Sequence, residues 1–378
     1  MALNVIQQFQ ELISKSNNIL ICFKKDFTYD AVAGALALGN FLNKQEKRFN
    51  IVCSNFKVPP ELSFLPGINE IKDRLVNLRQ FIISLDLEDK KIDEFSYDVK
   101  DNELKIYILP EEGDFDRSDV KVSSSAYRFD LIIILDTPDL ESLGKIYFDQ
   151  SDFFFATPII NIDHNVNNEN YGQINLINLT AASLSEILYH LISETDDNLI
   201  DKEIATLLLT GMISKSQGFR TSLVTPQTLH IASLLISKGA DKEKIIANLF
   251  RTKTLATLKL WGRVLARLQH DPHLKLVWSV LPHSDFVKAG ASEENIRGVV
   301  EELIANSPQA EIVLLLYEKP DSDIGGQLYT TLNYDSRYLL NNFDIEGTKN
   351  FVSFVLKNKT LQEAEAEVVN EIRNKLEK

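Results

Sequence analysis

Asp163-His164 closes the apolar run Pro158-Ile159-Ile160-Asn161-Ile162, and the string continues Asn165-Val166-Asn167-Asn168 before a helical pattern starts at Ala181. A carboxylate and an imidazole at the end of a buried strand can ligate a metal or move a proton, and open α/β sheets bind ligands beyond the carboxyl ends of their strands. Two side chains are not a complete site. Three further polar clusters lie at similar breaks in the pattern: Lys24–Asp30 (KKDFTYD), Asp136–Asp139 (DTPD) and Lys215–Arg220 (KSQGFR). On a parallel sheet these clusters would converge at one edge.

The elements that must position them alternate. Ile19–Phe23 and Phe49–Cys53 read as buried strands around a helix of small and apolar residues, Tyr29–Asn43, which makes a strand–helix–strand unit. Phe129–Leu135 is the strongest central strand and ends directly in Asp136; Ile159–Ile162 ends in Asp163. Helices are expected over Ala181–Ser193, Lys202–Ser214 and Thr225–Lys238. Between about 81 and 125 the rhythm breaks. Phe81–Leu85, Glu94–Val99 and Leu104–Leu109 alternate like strands, Asp101-Asn102 marks a turn, and an inserted β-hairpin with a solvated acidic rim is expected. Beyond Lys253 come a helix (Leu255–Leu268), a His270-Asp271-Pro272-His273 turn, strands at Leu274–Leu281, Glu311–Tyr317 and Phe351–Leu356, and helices at Glu293–Asn306 and Leu361–Lys378.

The fold class is therefore α/β, with a parallel sheet covered by helices on both faces over 1–250, a connecting helix over 251–270 acting as a hinge, and a smaller α+β domain over 271–378. With 54 acidic and 40 basic residues the net charge is −14, which argues against coating nucleic acid through bulk charge. No apolar run approaches the roughly 18–20 residues of a spanning helix, so a cytoplasmic location is expected. Cys22 and Cys53 end apolar runs and read as reduced buried thiols. His270, His273 and His283 with Asp285 have loosely metal-like spacing but read as surface or contact residues. Trp261 and Trp278 read as packing, and His190 and His230 belong to no constellation.

With these clusters in place, the chain resembles the DHH phosphoesterase family, specifically the oligoribonuclease/pAp-phosphatase type with a DHH-associated C-terminal domain. The resemblance is most specific in Asn161–Gly172 (NIDHNVNNENYG) and Gly218–Asp241. It implies a two-manganese site that hydrolyses phosphoester bonds of short oligonucleotides, with the ions about 3.5–4 Å apart. Set against the family pattern, the first cluster has Lys24 for a histidine and Thr28 for an aspartate, keeping Asp30. The second keeps Asp136. The third keeps Asp163 and His164 but has Asn165 for the second histidine, and the fourth has Lys215-Ser216 for Asp-Thr. The family's Arg-Ser and glycine-rich phosphate grip is absent along Gly325–Leu332 and Ile345–Ser353, where only Gly347 matches.

An ammonium has donors but no lone pair, so Lys24 and Lys215 cannot ligate a metal. Metal-bound water loses nearly nine pK units, so forfeiting the ions makes hydroxide harder to form by roughly 12 kcal/mol. These substitutions imply a degenerate member, a pseudoenzyme in which Lys24 and Lys215 replace metal charge and form a buried ion-pair network with Asp30, Asp136, Asp163 and His164. The bland alternative is that both lysines point to solvent. Within the pseudoenzyme reading, a nucleotide or short single-stranded RNA or DNA would bind through Lys24, Thr28, Asn165, Lys215 and Arg220, or the fold would serve as a scaffold; a homodimer is a further expectation. The rival reading is an active manganese-dependent phosphoesterase with a rearranged or single-metal site built from Asp26, Asp30, Asp136, Asp139, Asp163 and His164, with Asp136, Asp163 and His164 as the catalytic candidates.

Overall fold

The computed structural model describes residues 4–88, 90–250, 253–296, 298–300, 307, 310–331 and 333–376. The chain divides into two compact units, Met1–Arg251 and Thr252–Lys378.

The first unit is built on a five-stranded parallel sheet. Its strands are β1 (Asn18–Phe23), β2 (Arg48–Val52), β7 (Leu131–Leu135), β8 (Ile159–Asp163) and β9 (Ile174–Ile177), in the order β2-β1-β7-β8-β9. The helices are α1 (Val5–Lys15), α2 (Tyr29–Lys44), the short α3 (Lys145–Phe148) and α4 (Ser151–Ala156), α5 (Leu184–Asp196), α6 (Lys202–Lys215), α7 (Pro226–Ser237) and α8 (Lys242–Phe250). Strand alternation divides the core. Ile19, Ile21 and Phe23 pack with residues of α2, α5 and α6, while Leu20 and Cys22 face Leu143, Ile146, Phe153 and Phe154 on the other side. The sheet is thus covered on both faces, as its near-continuous apolar strands require. Ala31, Ala33, Ala35 and Ala37 keep α2 slim, and Gly34 lies against Leu184 and Leu188, so α2 packs closely on α5. Strand order reverses between β1 and β7. A crevice opens at such a switch point, and Lys24–Thr28 and Asp136 follow the two strands that flank it.

Between β2 and β7 lies the insertion. β3 (Arg79–Leu85) pairs with β6 (Val120–Tyr127), and β4 (Ile92–Lys100) pairs with β5 (Glu103–Pro110), giving two separate two-stranded antiparallel ladders. The β4–β5 turn has Asp101 and Asn102 at φ 51° and 63°, the paired left-handed conformation that a two-residue hairpin turn demands. Strand β6 completes a ladder that alternation alone did not predict.

In the second unit, a six-stranded mixed sheet has the order β10-β11-β12-β13-β15-β14, with β10 (Gln269–Asp271), β11 (Leu276–Leu281), β12 (Ile312–Glu318), β13 (Ile324–Thr330), β14 (Ile345–Gly347) and β15 (Phe351–Leu356). The expected turn at His270 and Asp271 is instead an edge strand, because its backbone pairs with β11. Helix α9 (Leu255–Ala266) buries Leu260 and Val264 with Phe286 and Ala289 of α10 (His283–Ala289). It is a packed part of this unit. After the short α11 (Ser336–Leu339), α12 (Leu361–Leu376) covers the opposite face through Ala364, Val368 and Ile372. Of the helix expected over 293–306, Glu293–Ile296 forms a 3-10 turn, and residues 297 and 301–306 lie outside the described residues. No helix among the described residues is long and apolar enough to cross a membrane.

Candidate functional site

Asp136 is the centre of the site. It follows β7 directly with φ 45°, a left-handed conformation that turns the chain out of the sheet and that aspartate tolerates better than most residues. Its Oδ2 receives the Lys24 ammonium at 3.1 Å and the Thr28 hydroxyl at 2.8 Å, and its Oδ1 lies 3.6 Å from His164 Nε2. Thr28 has a second duty, since its oxygen caps α2 by accepting from the Ala31 amide at 3.1 Å. Burial pushes the Asp136 carboxyl up, but His164, the Lys24 and Lys215 charges and the Thr28 hydroxyl outweigh it and hold the group well below the usual carboxylate range.

The other two retained acids are committed elsewhere. Asp30, 1% exposed, accepts from the amides of Leu184 and Ser185 at 2.6 and 3.1 Å and from Ser185 Oγ at 2.6 Å. It therefore satisfies amides that α5 leaves open at its own N-terminus. Burial raises its carboxyl, with the Ser185 hydrogen bond the strongest opposing influence. The two groups meet because residue 211 of α6 is glycine: a Cβ there would lie 2.0 Å from Ser185 Oγ and 2.4 Å from Asp30 Oδ1. Asp163, fully buried, accepts from the amides of His164 and Asn165 at 2.7 and 3.1 Å and from Asn168 Nδ2 at 2.8 Å. The expected network of all four retained ligands with both lysines is thus corrected. Only Asp136 takes a lysine, because backbone amides already occupy the other two carboxylates.

Lys215, at the end of α6, lowers Asp136 through its charge but forms no ion pair within 4 Å among the described residues. Its ammonium remains available. Arg220 is exposed and turns its Nε back to the Gln217 carbonyl at 2.9 Å, outside the bonded cluster. Asn165 uses its side-chain oxygen to accept from the Asn167 amide at 3.0 Å. Asp139 accepts from the amide and hydroxyl of Ser142, and Asp26 is exposed, so neither supplements the centre.

A group missed in the sequence is the asparagine lattice beneath the site. Asn161 Nδ2 donates to Asn168 Oδ1 at 2.7 Å and to Asn175 Oδ1 at 3.0 Å, and Asn168 Nδ2 also reaches the Thr137 carbonyl at 3.1 Å. It ties the loops after β7 and β8 together. A polar residue at the fully buried position 161 of an otherwise apolar strand was the available signal.

For a metal, one oxygen each of Asp136 and Asp163 and one nitrogen of His164 lie within 4.8 Å of one another. The buried His164 Nε2 makes no hydrogen bond shorter than its 3.6 Å approach to Asp136 Oδ1, so the two face one another across the position a ligand would take. Three donors suit a single ion. Beside this cluster, Lys24 already holds Asp136 Oδ2, and an ammonium has no lone pair for a cation and repels one.

Elsewhere, Cys22 and Cys53 are buried and unbridged, and burial pushes the Cys53 thiol up to about 12 and Cys22 higher still, so both stay protonated. Asp285 is claimed by Arg263 and Arg267 at 2.8 and 2.7 Å. In the second unit, Gly325 lies under the Tyr317 ring and Gly326 under the Phe354 ring, where a Cβ would come within 2.3 and 2.1 Å. The aromatic rings cover this bare backbone, which is therefore closed to a phosphate.

Several known proteins are similar to this chain. The bifunctional oligoribonuclease and PAP phosphatase NrnA of Bacillus subtilis is 26% identical over 144 residues, 38% of this chain and 44% of that protein. The Thermus thermophilus protein of the same name is 29% identical over 138 residues, 36% of this chain and 40% of that protein. The chain thus matches less than half the length of these curated relatives. Among solved structures, an exopolyphosphatase-related protein from Bacteroides fragilis superposes with a TM-score of 0.65 at 21% identity, covering 99% of this chain and 95% of that one, a likeness of fold. The DHH family, N-terminal domain, matches residues 18–212, which contain β1, α2, β7, β8, α5 and nearly all of α6 with the Asp136–Asp163–His164 cluster; the chain belongs to the DHH family.

Proposed function

We propose that this DHH-family chain binds a phosphate-bearing nucleotide or short oligonucleotide at the switch point of its parallel sheet and does not hydrolyse it. The observation that carries this reading is Lys24 Nζ at 3.1 Å from Asp136 Oδ2. An ammonium at that oxygen, with the Thr28 hydroxyl beside it, neutralises a buried carboxylate that in a metal enzyme would hold an ion. The remaining donors of Lys24 and the unpaired ammonium of Lys215 supply positive charge for phosphate oxygens. His164 Nε2, buried and 3.6 Å from Asp136 Oδ1 with no shorter hydrogen bond, adds a polar contact. The names of the Bacillus and Thermus relatives, an oligoribonuclease and PAP phosphatase, suggest the ligand class.

Calorimetry tests the reading directly. Titration with manganese gives no stoichiometric binding, whereas 3′,5′-adenosine bisphosphate or a short RNA binds, and Lys215→Ala weakens that binding about tenfold, the loss of one charge-assisted contact. Stoichiometric manganese binding at micromolar affinity overturns it, and no binding to any nucleotide leaves the scaffold role.

A second reading rests on the Asp136–Asp163–His164 triad, which fits one ion. It makes the chain a single-metal phosphoesterase. Turnover of a dinucleotide or of 3′,5′-adenosine bisphosphate with manganese, abolished by Asp136→Ala, would establish it over the binding reading.

A further inference from the structure

The β4–β5 hairpin holds a second irregularity, remote from the sheet edge in chemistry. Its register pairs Phe95 with Ile108, Tyr97 with Ile106 and Val99 with Leu104. Strand alternation puts these six side chains on one face, while Glu94, Ser96, Asp98, Lys100, Glu103 and Lys105 fall on the other with Tyr107 and Leu109. The face is uncharged and open: Phe95 is 60% exposed, Tyr97 68%, Val99 64%, Leu104 60% and Ile106 40%. A two-stranded hairpin is marginal in water unless something covers its apolar side.

We propose that this face is a self-association surface that packs against the same face of a second copy of the chain. Area supports it. At roughly 200 Å² per large side chain, these exposures leave about 600 Å² of apolar surface on the β4–β5 face. That is at the upper end of the patch a typical monomer exposes, and two copies would bury about 1,200 Å² in all, the lower end of the size of a stable interface.

Shape and charge select the occupant. A two-fold axis parallel to the strands lays β4 of one copy over β5 of the other, so the column Phe95-Tyr97-Val99 meets Leu104-Ile106-Ile108 twice. The face is then its own complement, as an isologous interface requires. The two sheets would pack face to face with all charged side chains outside. A nucleic acid would need cations that the face lacks. The acids Glu94, Asp98 and Glu103 on the reverse side disfavour an anionic membrane surface.

Sedimentation velocity of the full chain across roughly 1–100 µM tests this, a range in which an interface of this size is occupied. The expected result is a dimer that Phe95→Asp combined with Tyr97→Asp dissociates, raising its Kd about 100-fold or more, as for aromatic anchors at an interface centre. Ser96→Asp, on the charged face, sediments as the unaltered chain does. Phe95→Thr with Tyr97→Thr keeps strand preference and dissociates the dimer as well, which separates loss of contact from loss of the hairpin. A chain that is monomeric throughout overturns the proposal, as does dissociation by Ser96→Asp equal to that of the double variant. A monomer that pellets with phosphatidylcholine vesicles also overturns it, by assigning the face to lipid.

Discussion

At the sheet edge, Asp30, Asp136 and Asp163 are at most 2% exposed, whereas on the hairpin Phe95, Tyr97, Val99 and Leu104 are at least 60% exposed. The two regions of one unit thus place their side chains against the usual inside-outside rule in opposite senses. They differ in how the cost is met. Each buried carboxylate has partners inside the fold: α5 amides for Asp30, Lys24 and Thr28 for Asp136, and its own loop for Asp163. The hairpin face has no partner within its own ladder. Charged groups must be compensated within the chain before it can fold, while apolar surface can wait for a second molecule.

Breaking the internal compensation should therefore have the larger effect on folding. Gly211→Ala drives a methyl into Ser185 Oγ and Asp30 Oδ1 at 2.0 and 2.4 Å and displaces the α5 cap. Although alanine favours a helix by about 1 kcal/mol, overpacking dominates and a net loss of about 3 kcal/mol is expected. Thermal unfolding followed by circular dichroism should show a drop of about 10 °C for a unit of this size.

Asp136→Asn is next, with an expected loss of about 2–3 kcal/mol near pH 7, below the full cost of breaking a wholly buried pair because Lys24 reaches solvent. The sign of its pH dependence follows from the depressed carboxyl. Stability from Asp136 is present above the unfolded value near 3.9 and is lost as pH falls below it toward the folded value. The difference between the variant and the unaltered chain in denaturant titrations should shrink as pH drops below about 4. Asp30, raised by burial and in part by the Asp136 charge, titrates in the opposite sense and shifts in the variant, so the same comparison in an Asp30→Asn background separates the two groups.

The smallest effect belongs to the hairpin within one chain. Phe95→Thr, measured at a dilution where the chain is monomeric, should change unfolding free energy by less than about 0.5 kcal/mol, because the ring is 60% exposed. A larger loss would mean that the face is covered intramolecularly, and the contrast between the two regions would collapse.

The parallel strands were legible because strands buried on both faces are nearly continuous apolar runs: Ile19–Phe23, Leu131–Leu135 and, apart from Asn161, Ile159–Ile162. The edge strands β9 and β10 were not, since four and three residues are too few to show a period. At the site, Asp136, Asp163, His164 and Lys24 stood out by type and position. Arg220 stood out too, yet it turns to its own loop.

Residue type and chain order were enough to put the polar clusters at strand ends and to single out Lys24 and Lys215 as cations among the acids. Which carboxylate each amine meets depends on distances of a few tenths of an ångström between elements far apart in sequence. Only packing sets those: Gly211 lets α6 approach Asp30, the asparagine lattice holds the β8 loop to β7, and the left-handed Asp136 presents its carboxylate to Lys24. The apolar face of the hairpin was written in its alternation, but that it stays open could be seen only once the rest of the unit had folded without covering it.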